Sequence, residues 1–530
     1  MELSTIWLLF LPIISLLILV RKSRADRKKS RRPPGPCGLP FIGSIHHLLT
    51  SQPQAALRDL AKKHGPVMYL RLGQVDAVVV SSPEAAREVL RANDISFASR
   101  PKLLGIDTIC NGDLDIAFAP YGDYWRALRK LCTLELLSAR KVKQFASIRD
   151  RETMSLVAEV QAAAAAAAGG EPVNVGELLV SFSNSITGMA MFGDRCSSER
   201  RERFLAAVAV ALNLSSGFCV SDLFPSMLFV DVATGVRYRL QRAHRQLDQV
   251  LDEIIADSEA RRRRNDDQGD RNREGEDDDL LSVLLRIRDE GEFEVPIKTT
   301  SSVAEWVMSE LVKNPEMMAK AQAEVRQAFN NKNTCDHESN LHHLHYLSMV
   351  IKETMRLYPP LPLLLPRLCR ETCDIGGFEV AKGTRVIVNA WAIARSPEYW
   401  DDSEKFNPER FEKIMADYKG TQFEYMPFGS GRRMCPGSGF GLASLELILA
   451  RLLYHFDWSL PAELEQRQKE ATNYTSLHFE YDDSRHGARR SGASAPEAQE
   501  LPPLGPIMRA RARELNYIMA RGCGGPASGA

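Results

Sequence analysis

Helices with a smaller β region near the amino terminus, tethered by an N-terminal transmembrane helix, make up the fold this sequence predicts. Three observations predict it. Residues 3–20 carry no charge and run straight into Arg21, Lys22, Arg24, Arg27, Lys28, Lys29, Arg31 and Arg32. Residues 67–72 and 77–80 are β-branched, apolar runs around Gly73, the pattern of a hairpin. Runs of helical length fill much of the remainder, above all 174–257. The 530 residues hold 68 basic and 68 acidic side chains, so net charge gives no drive toward nucleic acid. Ten cysteines in so long a chain are not a disulfide scaffold. Cys369 and Cys373 are close in sequence, yet no second pair at zinc-like spacing accompanies them. Most cysteines are therefore expected reduced, in a cytosolic body.

The first apolar run is about 27 Å long as a helix, close to the thickness of a bilayer's hydrocarbon core. A cleaved signal peptide would want the basic cluster before that run and small residues at a cleavage site, and neither is present. An uncleaved anchor over 1–22 is expected, with its basic flank in the cytosol. A basic and Pro-rich hinge over 23–40 follows. There Arg31-Arg32-Pro33-Pro34-Gly35-Pro36 reads as a stiff spacer, because proline fixes φ.

The chemistry of the chain centres on Phe428-Gly429-Ser430-Gly431-Arg432-Arg433-Met434-Cys435-Pro436-Gly437. Glycines beside a cysteine let backbone N–H groups approach the sulfur. The helix-like run 441–456 just after it places a positive dipole end nearby, which favours thiolate over thiol. Arg433 adds a cation suited to a carboxylate. A thiolate with N–H donors and a neighbouring cation suits a heme iron whose propionates need a partner. The plainer alternative is a Gly-rich turn around a buried cysteine, a residue type often found inside. Spacing separates the two. Phe428, Gly431, Arg433, Cys435 and Gly437 match the pattern F-x-x-G-x-R-x-C-x-G, and the chain resembles the cytochrome P-450 heme-thiolate monooxygenases of the plant microsomal type. The resemblance covers residues 30–462 and implies the cytochrome P-450 fold, mainly α with a smaller β region. It makes Cys435 the metal ligand and gives Phe428, Gly431, Arg433 and Gly437 to the cofactor.

In chain order, 54–64 reads as an amphipathic helix ended by Gly65-Pro66, and Ser82-Pro83 opens another with proline at its first position. Phe97-Ala98-Ser99-Arg100-Pro101 begins a loop to about Pro120 that, by resemblance, covers the distal side of the heme. In the helix 121–130, Trp125 and Arg129 stand at i, i+4 on one face. Snorkelling explains such a pair in general, whereas the W-x-x-x-R resemblance sends both to a propionate. Seven alanines over 162–168 extend a helix without adding chemistry, and 261–279 is expected to be a solvated loop.

By resemblance a long distal helix should follow, with an A-G-x-[DE]-T kink beside the iron. Here the chain reads Val295-Pro296-Ile297-Lys298-Thr299-Thr300-Ser301-Ser302-Val303-Ala304-Glu305-Trp306. Thr299 aligns with the oxygen-side threonine, but the Ala-Gly, the acid and the upstream apolar turns are missing. Pro296 also resists an upstream helix. The distal helix is thus expected to be truncated by about twenty residues.

Residues 316–330 read as a helix. His342, His343 and His345 cluster without further ligands at metal-binding spacing. Glu353 and Arg356 stand at i, i+3, a pair that is often only surface decoration. With Phe406-Asn407-Pro408-Glu409-Arg410-Phe411 they resemble the second family signature, which makes Glu353, Arg356 and Arg410 a structural network on the proximal side. Arg367 adds a propionate contact by the same resemblance, and 375–381 with 384–389 suggest strands around Gly383. Residues 41–462 then form the monooxygenase domain. The tail 463–530 is polar and Gly/Pro/Ala-rich, without a clear strand pair, and is expected disordered.

The resemblance implies heme b (iron protoporphyrin IX) and electrons from NADPH through NADPH-cytochrome P-450 reductase. One atom of O2 would enter an apolar small molecule such as a terpenoid or flavonoid. The place would be the endoplasmic reticulum membrane, single-pass, with the catalytic domain in the cytosol. Two alternatives remain open: a heme-binding relic or mis-joined reading frame lacking the distal helix, and a peroxide-rearranging enzyme with no use for the threonine.

Overall fold

The computed structural model describes residues 31–112, 114–166, 173–193, 196–215, 217, 219–267, 299–330, 338–459 and 519–522. In chain order the principal elements are α1 (Pro53–His64), β1 (Val67–Leu72), β2 (Val75–Val80), α2 (Pro83–Arg87), α3 (Leu104–Ile109), α4 (Asp123–Leu131), α5 (Ala146–Ala166), α6 (Val175–Phe192), α7 (Ser198–Ser215), α8 (Val236–Asp267), α9 (Thr299–Lys313), α10 (Pro315–Asn330), α11 (His345–Leu357), β3 (Arg367–Leu368), β4 (Cys373–Ile375), β5 (Phe378–Val380), β6 (Arg385–Val388), α12 (Ser438–His455), β7 (Phe456–Ser459) and β8 (Met519–Gly522). They divide into two compact units, the first holding 1–143, 192–296 and 352–441 and the second the remainder.

In the first unit, β1 and β2 pair antiparallel from Val67↔Val80 to Leu72↔Val75. Gly73 has φ +63, the left-handed value that a two-residue hairpin turn asks of its first position. β6 joins β2 in parallel and β3 joins β6 antiparallel, giving the order β1-β2-β6-β3. Period-two alternation sorts the side chains onto two faces. Met68, Leu70 and Leu72 pack with Ala77, Val79 and Leu57 from α1. Val67, Val78 and Val80 pack on the other face with Val89, Leu90, Phe97 and Val388. Each fully buried Leu, Met or Val contributes about 1.5–3 kcal/mol, so the sheet is a firm base for the loops that leave it. α2 starts as expected, with Pro83 first and the Ser82 hydroxyl accepting from the Ala85 amide at 3.3 Å.

In the second unit, α5 runs to Ala166, so the first five alanines of the run extend a helix. α9 buries Val303, Ala304, Val307, Met308 and Leu311, an apolar stripe at helical spacing.

Three expectations change. The Pro-rich stretch is not a free spacer where it is described. The Tyr69 amide donates to Pro34 O at 2.8 Å, and the Glu379 amide donates to Arg31 O at 2.9 Å, so it lies along β1 and β5. A Cβ on Gly35 would stand 2.0 Å from Tyr69 O, so only glycine allows that approach. The charged stretch from 261 continues α8 to Asp267, because arginine is a good helix former and can prolong an established helix. In the tail, β8 pairs with β7 from Phe456↔Gly522 to Ser459↔Met519, so it does supply a strand. The remainder of the tail, the anchor over 1–22 and residues 268–298 before Thr299 lie outside the described residues. Among the described residues, no helix is long and apolar enough to cross a membrane.

Candidate active site

The loop 428–437 is bent by two glycines in the left-handed region, Gly429 at φ +73 and Gly431 at φ +70. A Cβ on Gly431 would lie 2.1 Å from Leu90 O, so this loop touches backbone that only glycine can approach. A 3-10 turn, Gly431–Arg433, follows, and the Cys435 amide donates to Phe428 O at 3.0 Å. The Phe428 ring meets Tyr418 edge-on with centroids 5.8 Å apart. α12 begins at Ser438, three residues past the sulfur, as the dipole argument requires.

Cys435 is exposed. Enough protein nevertheless stands around its sulfur for burial to push the thiol up, while the Gly437 N–H and the Arg129 charge pull it down. An exposed cysteine with an amide and a cation beside its sulfur suits a ligand position better than a place in the core.

Arg433 belongs to this loop, Arg129 and Arg367 reach it, and Arg100 stands close enough for its charge to meet that of Arg433. Arg433 donates from Nε to Ala98 O at 2.8 Å, from Nη1 to Ile116 O at 3.2 Å and from Nη2 to Ala119 O. Its guanidinium lies 4.2 Å above the centroid of Trp125, whose indole N–H donates to Ile116 O at 3.0 Å. Trp125 thus presents a ring face to Arg433 and spends its N–H on the backbone. Arg129 donates to Met434 O at 2.6 Å, next to the ligand residue. Arg367 reaches Phe97 O at 3.4 Å and Ser430 O at 3.3 Å, both long. Sequence reasoning had placed Arg100 only in the covering loop. Here it is buried, donating to Ala117 O at 2.9 Å, Leu365 O at 2.8 Å and Pro366 O at 2.9 Å.

These cations repel one another. Burial lowers all four, and the charge of Arg367 lowers Arg100 and Arg433 further. Among the described residues, none of the four forms a salt bridge. Asp115 is the carboxylate that favours the charged forms of Arg100 and Arg433. Its Oδ1 accepts from the Ala117 and Phe118 amides at 2.7 and 3.0 Å, while Oδ2 is buried without a partner. The turn 115–119 is a hub: its amides hold Asp115 and its carbonyls hold Arg100, Arg433 and Trp125. Buried guanidiniums bonded only to neutral carbonyls leave positive charge uncompensated. A planar group bearing two carboxylates beside a thiolate ligand, which is what heme offers, fits this donor set.

Behind the loop, Glu353 is fully buried and accepts from Arg356 Nε and Nη2 at 2.8 and 2.9 Å, Arg410 Nε at 3.1 Å and the Asn407 amide at 2.8 Å. Arg356 also donates from Nη1 to Ala394 O and Ser403 O, each at 2.7 Å. It lies 5.2 Å from the Trp400 ring. Rings then continue from Trp400 to Tyr425 at 6.4 Å, Tyr425 to Tyr418 at 6.1 Å and Tyr418 to Phe428 at 5.8 Å. A continuous packed path therefore leads from this ion network to the ligand loop.

The family model for cytochrome P450 matches residues 33–295 and 296–479. The chain belongs to the cytochrome P450 family. It is 56% identical over 483 residues to cytochrome P450 99A2 of Oryza sativa subsp. japonica, covering 87% of each chain. It is also 56% identical over 468 residues to 9-beta-pimara-7,15-diene oxidase of the same plant, covering 85% of this chain and 89% of that one. Premnaspirodiene oxygenase of Hyoscyamus muticus is 44% identical over 482 residues, 88% and 94% of the two chains. Among solved structures, a zebrafish cytochrome P450 with progesterone superposes with TM-score 0.63 at 26% identity, over 77% of this chain and 93% of that one. Membership makes the chain an oxygen-incorporating oxidoreductase of P450 fold, mostly helical with a smaller sheet region. The match is broken between residues 295 and 296, and it continues past 462, where sequence reasoning had ended it.

Of the residues picked from sequence, the structure brings together Cys435, Phe428, Gly431, Gly437, Arg433, Trp125, Arg129 and Arg367, and separately Glu353, Arg356 and Arg410. Thr299 is the first residue of α9, in the second unit. Arg100 and Asp115 were missed. An arginine just before Pro101 was the one visible signal for the first.

Proposed function

We propose that this chain is a heme b monooxygenase that inserts one oxygen atom from O2 into an apolar diene-type hydrocarbon, using electrons from NADPH through NADPH-cytochrome P-450 reductase. The observation that carries the reading is the exposed Cys435 beside four arginines that, among the described residues, form no salt bridge. Bound heme would supply the activation of O2 and the oxidation of the substrate C–H bond. Cys435 would hold the iron, and the Gly437 N–H with the Arg129 charge favours its thiolate against the opposing effect of burial. Arg100, Arg129, Arg367 and Arg433 would hold the propionates, with Arg433 steadied by the Trp125 ring. Glu353, Arg356 and Arg410 hold the loop that presents Cys435. By the family resemblance alone, Thr299 would be the proton-handling residue of the distal helix. The diene substrate class is carried over from the names of the pimaradiene oxidase and premnaspirodiene oxygenase relatives.

An endoplasmic reticulum anchor over 1–22 belongs to this reading, and exposed apolar residues continue it past the hinge. Phe41 is 91% exposed, beside exposed Leu39, Ile42 and Leu49.

The break in the family match at residues 295 and 296 favours a second reading. In it the distal helix is truncated and the chain binds heme without turnover. One experiment separates the two. Heme-loaded protein is incubated with reductase, NADPH and a panel of cyclic diterpene and sesquiterpene dienes. A product bearing one added oxygen, formed only with NADPH, supports the monooxygenase. Full heme loading without any product, which insertion of a relative's residues before Thr299 restores, supports the truncated form.

A further inference from the structure

We propose that Cys369 and Cys373 form an oxidisable dithiol that closes to a disulfide across residues 370–372. Their sulfurs lie 4.0 Å apart. Cys369 is buried and Cys373 half-buried. Sheet bonds fix the backbone on both sides: the Cys369 amide donates to Thr384 O at 2.9 Å, the Gly383 amide donates to Cys369 O at 2.8 Å, and Cys373 pairs with Val380 in β4–β5. The two sulfurs thus face each other from a held backbone frame. A surface cleft of about 600 Å³, lined by Ile95, Ser99, Leu368, Cys369, Arg370 and Lys382, gives a small oxidant access.

The environment sets the character of the pair. Burial, then the neighbouring Cys369, pushes the Cys373 thiol up to about 12, and burial raises Cys369 as well. Neither thiolate is stabilised, so the reduced form gains nothing from ionisation and the closed disulfide is correspondingly hard to reduce. Formation is slow for the same reason. The dithiol is therefore a durable tie between β3 and the β4–β5 hairpin rather than a fast sensor.

Hydrogen peroxide is the oxidant class that balances the step. The Cys369 sulfur, which lines the cleft, attacks one peroxide oxygen: an S–O bond forms, the O–O bond breaks, and the leaving hydroxide takes the thiol proton as water. The Cys373 sulfur then displaces hydroxide from the sulfenic acid, forming S–S, and its own proton completes a second water. The two thiols lose two electrons and the peroxide gains them.

The test uses the full, heme-loaded chain. It is treated with hydrogen peroxide, its remaining thiols are alkylated, and it is digested with trypsin, which cuts at Arg367, Arg370 and Lys382. Leu368-Cys369-Arg370 should be found bonded to peptide 371–382, with loss of both alkylated forms and their return after reductant. Cys369→Ser and Cys373→Ser should each abolish the bonded species. Exposed Cys37 reports that oxidant was delivered. Recovery of both cysteines as alkylated thiols while Cys37 is oxidised, or their recovery as sulfonic acids or bonded to other cysteines, overturns the proposal.

Discussion

Replacing Glu353 by Gln tests the proximal network where it is most tightly built. The carboxylate is fully buried and accepts two bonds from Arg356, one from Arg410 and one from the Asn407 amide. Glutamine of the same size removes the charge and turns one acceptor into a donor facing guanidinium N–H groups. Two buried arginines would then lack their counter-ion. Breaking a buried ion pair on one side costs about 3–5 kcal/mol, against a total stability of about 5–15 kcal/mol for a domain. Because the path of rings from Trp400 to Phe428 leans on Arg356, heme loading should fall along with stability. The assay is urea unfolding followed by tryptophan fluorescence, with heme per polypeptide measured on the same preparation. Glu353→Gln should lower the unfolding midpoint and leave heme substoichiometric. Arg126→Ala, which breaks an exposed pair with Asp123, should leave both unchanged. A Glu353→Gln protein with the parental midpoint and full heme would refute the idea that this network carries the ligand loop.

Other outcomes follow from the same geometry. Gly431→Ala places a Cβ 2.1 Å from Leu90 O at φ +70, adding about 1–2 kcal/mol of left-handed strain to the overlap. It should yield protein poor in heme. Asp115→Asn keeps an acceptor for the Ala117 and Phe118 amides but deletes the negative charge near Arg100 and Arg433. Heme should be retained and the ferric–ferrous equilibrium should move roughly tenfold toward ferrous. An unmoved or oppositely moved potential contradicts the charge assignment. In heme-free protein, alkylation of Cys435, read at the peptide level, should rise with pH to a midpoint above the ordinary thiol value of 9.0, because burial disfavours the thiolate. Arg129→Gln removes a stabilising charge and should move that midpoint higher still. A midpoint below 9.0 rejects this picture of the sulfur's surroundings.

What the sequence made legible was local. The cysteine loop, the Trp125–Arg129 face, the Glu353–Arg356 pair and the Val67–Val80 hairpin each depend on residues a few positions apart, where spacing fixes geometry. What it hid was set at long range. Arg100 meets Leu365 O and Ala117 O only once three chain segments converge, and Asp115 matters only because Arg433 arrives beside it. Pro34 looked like a spacer residue because nothing nearby announces that Tyr69 will donate to its carbonyl. The Met519-Ala520-Arg521-Gly522 stretch carries no β pattern, and it is a strand because β7 offers it an edge. Charge density misled over 261–267, where composition suited a loop but helix propensity and an established helix before it prevailed.

The central claim is that the Cys435 sulfur binds heme iron. Its most direct measurement is the carbon monoxide difference spectrum of the reduced, heme-loaded protein beside that of Cys435→Ser. The parent should show the strongly red-shifted Soret band of thiolate ligation, and the variant should lack it. A parent spectrum of nitrogen-ligated heme, or a variant spectrum identical to the parent's, would contradict the account.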